Sequence, residues 1–270
     1  MIRWFKQLDT ILRGDATRMS ALKEGRIETP IGGLSVVTVL LGVTYGLCMG
    51  AYAVVRTGGA SQDAYMQMIA SAVKVPLLFF LTLAVTLPSL YVFNALVGSR
   101  LSVVSVVRLL VAMLGVVLAV LASLGPIVVF FSLSTESYSF MILLNVIVAA
   151  IAGILGLAFL LRTLHRLVVS QIEIDRGALN PNVGIDHESE DDEEHDVPVG
   201  VLESESYETT GRARTVFRVW VVVFSLVGAQ MSWVLRPFIG TPDMAFTWLR
   251  NRDGNFFLSV LESIGKLFGA

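Results

Sequence analysis

The stretch VPLLFFLTLAVTLPSLYVFNALVG, residues 75–98, contains no acidic or basic residue, and its polar members are limited to hydroxyls and one amide. A helix needs roughly 20 consecutive apolar residues to cross the hydrocarbon layer of a bilayer. The run lacks the strict alternation of a barrel strand, and an open sheet edge in lipid would leave backbone groups unpaired, so the segment reads as a transmembrane helix. Four further runs, at 31–55, 109–133, 138–161 and 219–235, read the same way. The last is the shortest, and Arg218 and Arg236 bracket it, where long basic side chains can snorkel to the two interfaces. The expected fold is all-α and polytopic: a bundle of five transmembrane helices, with amphipathic helices at both termini.

Composition agrees with lipid as the solvent, since 54% of the 270 residues are apolar and only 16% are charged. The formal charge of -2 conceals an uneven distribution. Residues 186–208 hold 11 of the 22 acids and no Lys or Arg, so all 20 basic residues face the other 11 acids elsewhere. The single cysteine, Cys48, lies in an apolar run and excludes an intramolecular disulfide framework. The first thirty residues lack the apolar core and small-residue cleavage pattern of a signal peptide.

Orientation follows from where Lys and Arg fall. With five crossings, the amino terminus and the second and fourth connections share one side, which collects fourteen basic residues, six of them before residue 30 and six between Arg162 and Arg218. The opposite side holds Arg56, Lys74, Arg236, Arg250, Arg252 and Lys266. The amino terminus is therefore expected in the cytoplasm and the carboxyl terminus outside.

The domain reading is a cytoplasmic amphipathic segment over 1–30, four spans over 31–161, a cytoplasmic loop over 162–218, a fifth span over 219–235 and an extracytoplasmic tail over 236–270. Trp4, Phe5, Leu8, Ile11 and Leu12 fall at helical spacing with Arg3, Lys6 and Arg13 elsewhere on the wheel, as in a helix lying at the headgroups. The tail repeats the pattern in Phe257, Val260, Leu261, Ile264, Leu267 and Phe268, with Glu262 and Lys266 paired at i, i+4 and Asp253 or Asn255 as cap. The acidic block 186–208 is too polar to bury a core and is expected to be disordered.

Four sets of residues stand out. Gly42, Gly46 and Gly50 form a double G-x-x-x-G face on which another helix can approach closely, with Gly153 among the small residues of the fourth span as a mate or, alternatively, a second copy of the chain. Pro88 interrupts the second span, where Thr82 or Thr86 can soften the lost hydrogen bond, and Pro126 does so in the third. Asn94, Asn145 and Gln230 are the polar positions of the second, fourth and fifth spans, readable as interhelical bonding or as a path. No Asp, Glu or Lys falls inside a span as drawn, which weighs against an ion-coupled carrier. The tail motif WVLRPFIGTPDMAFTWLR carries Trp233, Arg236, Pro237, Phe238, Trp248 and Arg250, an aromatic and basic set suited either to capping the bundle or to binding lipid or a partner.

No zinc-protease, nucleophile-elbow or phosphate-loop motif is present, and the acidic block lacks the fixed geometry that hard-cation sites demand, so neither catalysis, cofactor nor metal is expected. The second span, from KVPLLFFLTL onward, resembles Yip1-type membrane proteins, and LDTILRGDATR, YGLCMGAY and QMSWVLRPFIGTPDMAF are similar to bacterial five-span proteins associated with that group. The resemblance implies architecture, and a bacterial cytoplasmic (inner) membrane as the location. Eukaryotic members bind small GTPases through cytoplasmic parts, and the chain lacks their long aromatic-rich amino-terminal domain. The expectation is a non-enzymatic membrane adaptor or organiser, recruiting a basic protein partner through its acidic loop, with membrane lipids, a possible homo-oligomer and no nucleic acid as its other associations. The alternatives are a channel or transporter lined by the kinked second and third helices, and a lipid-interacting protein.

Overall fold

The computed structural model describes residues 31–59, 61–96, 103–179, 201–240, 244–251 and 254–268. The expected amino-terminal amphipathic helix and the acidic stretch 186–200 lie outside these residues. Six helices and no strands are found among them: α1 (Ile31–Arg56), α2 (Gln62–Leu96), α3 (Val103–Ser134), α4 (Tyr138–Leu179), α5 (Val201–Val234) and α6 (Phe256–Phe268). Gly32–Arg56, Gln62–Ser89, Val106–Ser134 and Tyr138–Thr163 are long and apolar enough to cross a membrane, as an integral membrane protein requires, whereas the apolar part of α5, Arg218–Val234, is shorter.

Two of the expected boundaries move. Helix α5 begins at Val201, so 201–208, assigned to the disordered acidic block, is helical. Helix α2 begins at Gln62 rather than at residue 75, which places Lys74 and Asp63 inside a candidate span. The added segment QDAYMQMIASAVK is rich in Ala, Met and Gln, strong helix formers, and Asp63 in the first turn complements the positive end of the helix dipole. Pro76 and Pro88 are accommodated without ending α2, and Pro126 without ending α3. The Thr82 hydroxyl donates to the Leu78 carbonyl and that of Thr86 to the Thr82 carbonyl, while the Trp220 indole of α5 reaches the Thr86 carbonyl at 3.1 Å.

The five long helices close into a ring. Helix α1 packs on α2 and α3, α4 packs on α3, α5 packs on α2, and α4 meets α5. Helix α3 supplies much of the core, with Leu110, Leu114, Leu118 and Leu121 fully buried on successive turns. The outer rim of α1 is clasped to the α3–α4 connection. Arg56 pairs with Glu136 at 2.9 Å and also donates to the Thr135 carbonyl, while the Tyr52 hydroxyl donates to the Glu136 carbonyl. Ser137 caps α4 by accepting the Phe140 N–H at 3.2 Å.

The glycine face of α1 finds its mate in α2, not in the fourth span. A Cβ at Gly46 would fall 2.5 Å from the Ser71 carbonyl oxygen and 2.6 Å from Ala72 Cα, and one at Gly50 would fall 2.6 Å from Met68 Cα. Gly42 faces Pro76 in the same way, at 3.1 Å. Gly153 makes no comparable contact, since a Cβ there meets nothing within 4 Å; the close approach of α4 to α3 is at Gly156 against Val117. The three pairs also set a register: α1 and α2 run antiparallel, and Lys74 is level with the stretch between Gly42 and Gly46, in the middle of α1.

Replacing Gly46 with Ala forces backbone against backbone, and the purified protein is expected to lose about 1–3 kcal/mol of stability, the usual cost of overpacking a tight contact. Gly153→Ala is expected to leave it unchanged. Thermal unfolding in detergent compares the two; equal midpoints would show that the α1–α2 approach is looser than described.

Candidate functional site

Three polar side chains, Gln67, Ser71 and Lys74, recur at spacings of four and three along α2 and so share one face. All three are buried, with relative exposures of 4%, 0% and 2%. Such groups inside an apolar helix are costly unless bonded. Their partners are backbone carbonyls of the segment that follows α5. The Gln67 amide donates to the carbonyls of Pro237 and Phe238, each at 3.0 Å. The Ser71 hydroxyl lies within hydrogen-bond reach of the Phe238 carbonyl and, at 2.8 Å, of the carbonyl of Gln67 in its own helix. The Lys74 ammonium donates to the Pro237 carbonyl at 2.9 Å and to that of Trp248, whose ring lies 5.9 Å away.

These bonds hold residues 236–240 and 244–251 against α2, with the two ends together. The Arg250 N–H donates to the Arg236 carbonyl at 3.2 Å, and the Arg236 guanidinium donates to the Asn251 carbonyl, so the two ends meet at a neck. Lys74 binds both sides of that neck. The loop rises from there along α2: Gly240 packs between Ala53 and Gln67, and the Phe246 N–H donates to the Asp63 carboxylate at 3.1 Å, near the start of α2. The Tyr138 hydroxyl of α4 reaches the Ile239 carbonyl at 3.4 Å. A compact segment with meeting ends is an Ω-loop. At its base Arg236 stacks 3.6 Å above the Trp233 ring.

The residues singled out from sequence divide between two places. Trp233, Arg236, Pro237, Phe238, Trp248 and Arg250 all belong to the loop or its base, with Pro237 buried, Phe238 packed against the core and Trp248 exposed on the surface. Asn145 is buried in α4, where it accepts the Tyr45 hydroxyl at 2.8 Å and donates to the Met141 carbonyl. Pro88 faces outward on α2, and Gln230 is half-buried on α5. Asn94 lies at the last turn of α2, at the end opposite the loop, and its side chain is outside the described residues. Asn94 and Asn145 therefore lie at different levels of the bundle. Gln67, Ser71 and Lys74 were the residues missed. Their i, i+4, i+7 spacing was a usable signal, overlooked because Lys74 was assigned to a connection.

Between the loop and the outer turns of α1 and α2 lies a cavity of about 30 Å³, bordered by Thr57, Asp63, Gln67, Phe246 and Arg250. Organic ligand pockets are about ten times larger or more. Among the described residues no group of three or more His, Cys, Asp and Glu is placed to hold a metal ion. No family model, curated protein or solved structure matches the chain.

Replacing Lys74 with Met keeps the volume and removes the donor shared by the two sides of the neck. Each buried carbonyl left unpaired costs on the order of 1–3 kcal/mol. The loop is then expected to detach, and trypsin should cleave after Arg250 at least tenfold faster than in the native protein. An unchanged cleavage rate would show that Lys74 does not hold the neck.

Proposed function

We propose that the chain is a non-catalytic organiser of a bacterial cytoplasmic membrane, crossing it five times with the amino terminus in the cytoplasm, and that it recruits a basic protein partner through the acidic residues 186–208. The observation that carries this reading over a channel or carrier is how the polar groups inside the candidate spans are used. Asn145 is closed on Tyr45, Trp220 on Thr86, and Gln67, Ser71 and Lys74 on the loop. Each set is satisfied at a helix contact of its own, where a path needs polar positions from several spans facing one lumen.

The basic residues still support the orientation with α2 starting at Gln62. Setting aside the basic residues that fall within candidate spans, Arg56, Lys74, Arg108 and Arg162, leaves twelve Lys and Arg on the inner side against four on the outer. The double G-x-x-x-G face is occupied within the chain, which leaves a homo-oligomer to other surfaces. The Yip1-type likeness belongs to this reading as an architectural relation, with recruitment assigned to the acidic segment rather than to an amino-terminal domain.

Crosslinking in cells followed by purification, for the intact chain and for one lacking 186–208, tests recruitment. Basic proteins are expected with the intact chain and at least tenfold depleted with the deletion. The same partners on both forms, or none on either, would contradict the adaptor role, and solute flux across liposomes containing the protein would favour the transport class.

A further inference from the structure

We infer that α6 is the outer half of a discontinuous fifth crossing, with its apolar face set against the acyl chains of the bilayer rather than lying flat at the headgroups. The inference rests on the five-crossing reading above. Its first support is depth. The α1–α2 register sets Gln62 level with Arg56 at the outer end, and Gln67 to Lys74 lie five to twelve residues further in, about 8–18 Å at 1.5 Å per residue. Helix α5 stops at Val234, and Pro237 already meets Gln67 and Lys74. Helix α5 therefore ends with much of the outer half of the membrane still uncrossed, and the Ω-loop that follows returns to the same depth at Arg250.

Helix α6 starts where α5 stops. A Cβ on Gly254, two residues before α6, would lie 3.9 Å from the Trp233 ring, and α5 ends one residue after Trp233. The 13 residues of α6 span about 20 Å, close to the uncrossed depth. Helix α6 packs mainly on α4. The outer part of α4, 138–146, has no exposed residue, whereas Ile147, Ala149, Ala150, Ile151, Ile154 and Leu155 are exposed just below. The cover thus lies over the outer part, and α6 ascends.

The broad exposed side of α6 is apolar. Ser263 is buried at 5% and Ser259 is half-buried, while Phe257, Leu258, Leu261, Ile264 and Leu267 are exposed, with Glu262 and Lys266 exposed along one edge of that side. Small serines inward permit close packing between helices, and the exposed side is apolar like that of Phe130, Leu133 and Ile147 on α3 and α4. Asn255 caps the start of α6 by accepting the Leu258 N–H at 2.9 Å.

The test uses the full chain with Cys48→Ala and one nitroxide label at a time on Phe257→Cys, Leu261→Cys or Ile264→Cys, in vesicles of phosphatidylethanolamine and phosphatidylglycerol. Relative collision with oxygen and with a water-soluble nickel chelate reads depth. The expected result is a gradient, Phe257 deepest and Ile264 shallowest, separated by about 10 Å. Equal depths would mean a helix lying flat, a reversed gradient a descending one, and strong dipolar broadening an interface with a second copy; each would overturn the inference. Sidedness is read separately, with an impermeant maleimide on a cysteine appended after Ala270 in intact cells. Labelling only after permeabilisation would overturn the orientation proposed above while leaving the depth gradient to be judged by itself.

Discussion

A backbone that stops being helical against the apolar side of a bundle carries carbonyls that must find donors within the protein, each costing several kcal/mol if left bare. In this protein the chain leaves the helix after Val234, and the carbonyls of Pro237, Phe238 and Trp248 are met by donors on α2. Lysine suits the position at the neck because it brings three donors on a flexible stem, enough to tie its two sides, at Pro237 and Trp248, to one point on α2. The same contact meets the needs of the lysine, since a buried ammonium without acceptors would be more costly than the carbonyls it binds.

The donors act only because α2 is held firmly. Its adjacent face is locked onto the glycines of α1, where the two backbones approach as closely as side-chain-free positions allow. The clasp of Arg56 and Tyr52 on the α3–α4 connection fixes α1 in turn, and Tyr138, which begins α4, touches the loop at Ile239. Glycine packing, rim clasp and donor column thus share α1 and α2, so a change at Gly46 is transmitted to the segment that Lys74 holds. The loop end of the bundle is consequently a built structure, in which the backbone carbonyls of Pro237, Phe238 and Trp248 are engaged by α2.

Hydrophobic runs made the five helices legible, because a stretch long enough to cross lipid has few alternative conformations. The fourth helix outruns the apolar stretch that ends at residue 161 and reaches Leu179, because a helix can continue into water once its apolar run is over. Asn255 as cap and the glycine triplet as a packing face were readable from local rules. The start of α2 was not. A reading based on uninterrupted apolar residues stops at Lys74, although a helix in a bundle has an inward face that tolerates polar groups if a partner waits there. The partner lay more than 160 residues away along the chain, in a segment with no regular periodicity, and nothing local announces such a pairing. The partner of the glycine face was misplaced for a related reason: small residues mark a close approach without naming what approaches.

The central claim, that the α2 donors hold the post-α5 loop against the outer part of the bundle, is tested most directly by a disulfide across the contact of Gly240 with Ala53, where a Cβ on Gly240 would fall 2.7 Å from that of Ala53. Only a small shift is needed to reach disulfide geometry. In native membranes, Ala53→Cys with Gly240→Cys and Cys48→Ala is predicted to oxidise within the chain, and far less so when Lys74→Met is added. No disulfide in the first protein, or the same yield in both, would contradict the account.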